Sequence, residues 1–248
     1  MKGLLVRLGV TAAVAGALIA ALWQFDLDFS IPWRYRGLYV EGLLRTVLAT
    51  VLAFGVGVVL GVGVALLRLS RRLPIRHLGD LYVELIRGTP FVVQVWIAYF
   101  GVATLLRVDN KIFVGTLALG VFAAAYMGEI FRAGIESIER GQVEAARSLG
   151  LSRSQTLRHI VFPQAFKRMI PPLTGELIAL TKESSLLYLI GVVEMMAVAK
   201  QVGADTYKNF EAFLVVAAMY LTLTVPLSLL ARKLERRLKR SERTGVHL

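Results

Sequence analysis

Residues 38–67 form one long apolar block, and further blocks follow at 80–106, 112–134, 170–194 and 211–231. About 20 predominantly apolar residues carry a helix across a bilayer. In hydrocarbon only helices and closed barrels pair all of their own backbone groups. The patterning therefore predicts an all-α, polytopic membrane protein. Composition agrees: hydrophobic residues make up 56% of the chain and the mean hydropathy is +0.63, whereas soluble domains hold about 45–50% apolar residues.

The formal charge of +12 would suggest nucleic acid in a soluble chain. Here the basic residues gather at the ends of apolar blocks: Arg68, Arg71, Arg72 and Arg76 after the first, and Arg232, Lys233, Arg236, Arg237, Lys239 and Arg240 after the last. That is the positive-inside pattern. No stacking-aromatic motif accompanies the charge, so no nucleic-acid partner is expected. Another apolar block, residues 4–23 behind Lys2 and Arg7, reads as a retained helix in preference to a cleaved signal peptide. The predicted topology is then six spans with both termini cytoplasmic.

Within the blocks a few residues stand out. Gly57 and Gly61, four apart, suit close packing of membrane helices. Gly88-Thr89-Pro90 can break the 80–106 block, and Thr89, Gln94 and Tyr99 beyond the break are candidates for facing a central cavity. Glu84 with Arg87, and Glu129 with Arg132, are spaced to form ion pairs at the membrane edge. Pro171-Pro172 opens the 170–194 span in this reading, and Pro226 interrupts the last one. Residues 195–210, with Lys200, Asp205 and Lys208, read as an outer, partly amphipathic segment.

Glu176 falls about 12 Å and Glu183 about 22 Å inward from Arg168, at about 1.5 Å rise per residue. Positions 176, 180, 183, 184 and 187 share a helical face. Ionisable groups at that depth line a cavity or pair internally. A buried carboxylate suits an ammonium or guanidinium, because each charge offsets the other's desolvation. Glu176 is thus the main candidate for binding substrate, with Tyr99, Ser184 and Ser185 as lesser ones.

The longest polar interval runs from Gly141 to Pro172. A short helix over Gln142–Leu149 is predicted to stop at Gly150, a residue suited to a left-handed C-cap. A second starts at Ser152, with Gln155 at capping-box spacing, and ends at Pro163. Enzyme signatures are lacking: no Gly-x4-Gly-Lys-Ser/Thr phosphate loop, no Gly-x-Ser-x-Gly elbow, no cysteine, and three histidines without metal-ligand spacing. The chain is not expected to be an enzyme or to bind a cofactor or metal itself.

Glu144-Ala145-Ala146, Gly150, Ile160 and Pro163 resemble the EAA loop of the membrane subunits of binding-protein-dependent ABC importers, with Phe162 where leucine is usual. Arg87-Gly88-Thr89-Pro90, Val93-Gln94, Ala125-Tyr126, Glu129-Ile130, Arg132-Ala133-Gly134-Ile135 and Ser184-Ser185-Leu186 look like the polar amino-acid (histidine/glutamine/arginine-type) permeases. The resemblance covers roughly residues 37–240. It implies a five-helix type I permease core over 37–240 with a cytoplasmic coupling loop at 135–170. An extra N-terminal helix and outer linker would occupy 1–36, and a cytoplasmic tail 241–248. It further implies a multi-pass protein of the cell (inner) membrane that alternates between inward-open and outward-open states. Its partners would be two ATP-binding cassette ATPase subunits that hold ATP and Mg, a periplasmic or lipid-anchored amino-acid-binding protein, and a second permease, identical or paralogous. Glu144, Ala145, Ala146, Gly150, Ile160 and Pro163 would carry the coupling. The competing reading is an ion-gradient-driven secondary amino-acid transporter with Glu176, Lys182 and Glu183 as relay groups.

Overall fold

The structure, a computed structural model, describes Gly16, residues 27–28 and residues 30–244, with side chains to residue 238. The helix expected over residues 4–23 lies outside the described residues. After one short turn of helix at Ser30–Arg34, the order is α1 Arg36–Arg68, α2 Leu73–Arg87, α3 Phe91–Ala103, α4 Lys111–Glu136, α5 Arg140–Ser148, α6 Arg153–Ile190, α7 Met195–Thr206 and α8 Asn209–Thr244. Among the described residues three helices, α1, α4 and α8, are long and apolar enough to cross a membrane, or up to five if the bent pairs α2–α3 and α6–α7 each make one span.

The helices α1 and α4 form the centre. The buried stripe of α1 is made of small residues, including Ala49, Ala53, Gly57, Gly61 and Ala65, at spacings of three and four. That stripe lets α4 approach closely, as the glycine spacing predicts. A Cβ on Gly57 would lie 2.8 Å from the Ala123 Cβ, and one on Gly128 of α4 would lie 2.6 Å from Val64 Cγ1. Leu119, Phe122 and Met127 of α4 then pack with Phe91 and Val95 of α3 and Leu180 and Leu187 of α6.

The break predicted at Gly88-Thr89-Pro90 is present, and α2 and α3 meet at 100°. The helix before it begins at Leu73, earlier than the apolar block starts, with Pro74 in its first turn where no N–H is needed. Gln94 secures the break. Its Nε2 donates to the Ile86 carbonyl (2.7 Å), the Thr89 carbonyl (3.1 Å) and Thr89 Oγ1 (2.9 Å). Thr89 and Gln94 are thus engaged with backbone at the bend.

Proline proves a weaker punctuator than the sequence suggests. The second loop helix does not end at Pro163. A π turn over Leu157–Val161 leads into regular α-helix from Phe162, so Pro163 falls in a first turn. Gln164 Nε2 donates to the Ile160 carbonyl there, at 3.0 Å. Pro171 and Pro172 lie inside the same helix and do not begin a new one. Likewise α8 runs unbroken through Pro226. Neighbouring helices and local adjustments accommodate prolines in membrane helices; near them Thr174 Oγ1 bonds back to the Ile170 carbonyl (2.9 Å) and Thr224 Oγ1 to the Tyr220 carbonyl (2.9 Å).

The end of α6 tightens to a 3-10 helix over Ser184–Ile190 and turns at Gly191, where φ is +83°. α7 then departs at 52°. It is not an outer appendage. Met195, Val198, Ala199 and Val202 are fully buried and pack with Tyr39 of α1 and Ala212 and Val216 of α8, while Lys200 and Asp205 stay exposed. The amphipathic reading was sound, but the apolar stripe faces protein.

Candidate functional site

Most residues of the polar loop between α4 and α6 are exposed. α5 ends in a Schellman motif: Gly150 N donates to the Arg147 carbonyl (3.0 Å) and Leu151 N to the Ala146 carbonyl (3.2 Å). Gly150 takes φ +83° as the sequence predicts, a conformation costing most other residues about 1–2 kcal/mol. The capping box forms, with Ser152 N donating to Gln155 Oε1 (2.8 Å) and Gln155 N to Ser152 Oγ (3.3 Å).

This elbow is anchored from below. Ile138, Val161, Ala165 and Met169 are buried together, with Val143 and Leu157 against them. Gln164 Nε2 donates to Gln142 Oε1 (2.7 Å), and Arg168 Nη1 to the Ser137 carbonyl (2.6 Å). Of the six coupling candidates, Glu144 and Ala145 point outward and Ala146 is buried against the anchor. Gly150 makes the turn, and half-buried Ile160 and exposed Pro163 belong to α6. Leu149 is 82% exposed beside them. The outward face of α5 thus carries a carboxylate, a small residue and an exposed apolar side chain side by side.

An ion-pair cluster ties the helix ends nearby. Arg68 of α1 donates to Asp80 of α2 (2.7 Å) and to Glu129 of α4; Arg132 pairs with Glu129 and Glu136. The expected Glu129–Arg132 pair is therefore part of a larger network. The expected Glu84–Arg87 pair does not form among the described residues; the Arg87 guanidinium instead lies 5.3 Å from the Tyr126 ring centroid.

The intramembrane candidates separate into two groups. Glu176 is half-buried on α6, and Glu183, two turns on, is the charge that acts on it. Lys182 is exposed, with no ion pair among the described residues. Tyr99 is half-buried in the π-helical part of α3, packed on the central cluster and edge-on to Phe100. Ser184 is fully buried and donates to the Thr181 carbonyl at 2.8 Å. It and Ser185 lie near the Tyr220 hydroxyl of α8, away from the Glu176 carboxylate.

Tyr220 leads to a residue the sequence reading missed. Its hydroxyl donates to Glu194 Oε2 (3.3 Å), and the fully buried Glu194 carboxylate also accepts from Met196 N and Ala197 N (2.9 Å each). Glu194 is the N-cap of α7 and knots α6, α7 and α8 together at the bend. An acidic residue directly before an apolar helical stripe was the available signal. Among the described residues no group of three or more His, Cys, Asp or Glu side chains is placed to hold a metal.

Apolar helices of membrane length, two of them broken pairs, around an exposed, rigidly capped loop define a polytopic membrane transport subunit. The chain belongs to the family of binding-protein-dependent transport system inner membrane components, which matches residues 57–240. It is 40% identical to a probable glutamine ABC transporter permease protein, GlnM, of Bacillus subtilis, over 87% of this chain and 100% of that one. It is 36% identical to the arginine transport system permease protein ArtQ of the same organism, over 88% and 100% of the two chains. A crystal structure of an amino acid ABC transporter with histidines superposes with a TM-score of 0.81 at 36% identity, covering 86% of this chain and 100% of that one. These relationships give the gradient-driven alternative no support.

Proposed function

We propose that this chain is the permease subunit of an importer that carries a polar amino acid inward through the cell membrane, both termini lying in the cytoplasm. Transport is driven by ATP hydrolysis on two separate ATPase subunits, which bind the ATP and Mg; the permease itself holds no cofactor. A periplasmic or lipid-anchored binding protein delivers the amino acid, and a second permease, identical or paralogous, completes the pathway.

The observation that carries this reading is the outward display of Glu144, Ala145 and Leu149 on a helix fixed at both ends. Ala145 permits close approach to a groove, Glu144 supplies a charge for a basic group there, and the Schellman turn at Gly150 fixes the angle of the elbow. Glu176 is the proposed cavity carboxylate for the ammonium group of the substrate. Tyr99 lines the same path, and Ser184 and Ser185 shape it. The reading is tested by co-purification: Glu144→Lys should release the ATPase while the permease still inserts, and full retention of the ATPase would overturn the docking role.

A further inference from the structure

The arginines at the loop end of the bundle differ in their partners. Arg68, Arg76 and Arg132 each hold a carboxylate. Arg71, Arg147 and Arg153 are exposed, and among the described residues none of the three has an ion pair. They converge on one cavity of about 230 Å³ whose remaining lining is Thr156 and the apolar residues Ile135, Ile138, Val143, Leu157 and Val161. No carboxylate lines it.

The location decides what such a cavity suits. Arg71 follows three residues after the end of α1, and Ile135 and Ile138 flank the end of α4. Both are helices long and apolar enough to span, which puts their shared end toward one membrane surface. A rim of guanidinium groups presents forked donors that match phosphate oxygens. The apolar floor is continuous with the buried Ile138–Val161 cluster beneath the loop, and it would give a free inorganic ion nothing. Basic pockets between helix ends at a membrane surface take anionic headgroups.

We infer that this cavity is a binding site for an anionic phospholipid, with Arg71, Arg147 and Arg153 on the headgroup phosphate and the first methylenes of the acyl chains against Ile135, Ile138 and Val143. The site lies beneath α5 and not on its outward face. It therefore joins the loop to the membrane independently of the docking of an ATPase.

The test uses the transporter as purified, in nanodiscs of equimolar phosphatidylcholine and phosphatidylglycerol, with bound lipid counted by native mass spectrometry after detergent exchange. The wild-type protein should retain phosphatidylglycerol in preference to phosphatidylcholine. Each single substitution among Arg71→Gln, Arg147→Gln and Arg153→Gln should weaken retention roughly fivefold, and all three together roughly a hundredfold, since each basic group near an anionic surface contributes a similar factor. The triple Arg→Lys variant keeps the charge and guards against a folding defect; it should bind better than the glutamine triple variant but more weakly than the wild type, since the forked donors are lost. Equal retention in the glutamine triple variant, or no preference between lipids, overturns the proposal. Displacement by millimolar inorganic phosphate would make the ligand a free anion and overturn the lipid assignment. Phosphatidylglycerol found only after the ATPase is stripped away would overturn it too, marking the cavity as a seat for an acidic segment of that partner.

Discussion

Arg68 reaches across 61 residues of sequence to the Glu129 carboxylate, and its other nitrogen holds Asp80. One side chain, 15% exposed, thus fixes the ends of three helices against each other. Removing it leaves Glu129 to Arg132 and Asp80 to Arg76, and loses charge-assisted bonds of about 1.5–3 kcal/mol each. Arg68→Gln should lower the thermal midpoint in detergent. Adding Glu129→Gln to that variant should cost less than the sum of the two single changes. Strict additivity would show that the pair is not coupled.

Gly150 is set by backbone conformation, since a Cβ there meets nothing within 4 Å. Gly150→Ala is expected to cost about 1–2 kcal/mol locally and to reduce ATPase stimulation modestly. Gly150→Pro, which fixes φ near −65°, should abolish stimulation while membrane insertion continues. Wild-type stimulation in the proline variant would exclude the elbow from coupling.

For Glu176, the isosteric Glu176→Gln keeps shape and removes charge. Uptake and ligand-stimulated ATPase activity should fall about tenfold or more, the equivalent of ~1.4 kcal/mol in the transport barrier, without loss of the complex from the membrane. Uptake at the wild-type rate would leave Glu176 as a packing residue only.

Glu194→Ala removes the cap of α7 and the acceptor for Tyr220. Caps contribute about 0.5–2 kcal/mol, and orphaning a buried hydroxyl adds about 1–3 kcal/mol. A large drop in thermal stability is expected, partly restored in Glu194→Gln, whose single carbonyl oxygen can replace one of the two carboxylate oxygens that accept from Met196 N and Ala197 N. If glutamine destabilises as much as alanine, the carboxylate charge itself matters and capping is not the explanation.

At the centre of the bundle, Gly128→Val would drive a branched side chain into Val64. Overpacking of this kind costs about 1–3 kcal/mol. Gly63, with nothing within 4 Å of a Cβ, should accept valine with little effect on the melting temperature, and the contrast between the two checks the α1–α4 contact.

Some of this was written in local sequence and some was not. The loop helices, the left-handed Gly150, the capping box at Ser152 and the break at Gly88–Pro90 depend on residues within a few positions of each other, and those patterns could be read directly. Pro163, Pro171 and Pro226 misled because their local cost is met by π geometry, side-chain bonds and neighbouring helices, none of which a proline announces. Ser184 shares a helical face with Glu176 in the sequence, but the tightening to 3-10 geometry over Ser184–Ile190 and the approach of both serines to Tyr220 leave no mark in composition. The role of Glu194 depends on Tyr220, 26 residues later, and on a bend visible only in three dimensions.

Because α6 is not interrupted at Pro163, the helix that begins beside the Gly150 turn is the one that carries Glu176 and ends at the Tyr220–Glu194 knot. At about 1.5 Å per residue it runs some 45 Å from Arg153 to Glu183. On the proposed coupling role, a rotation of α5 is passed through the Gly150 turn to one continuous helix, and the wall of the proposed pathway is expected to move with it.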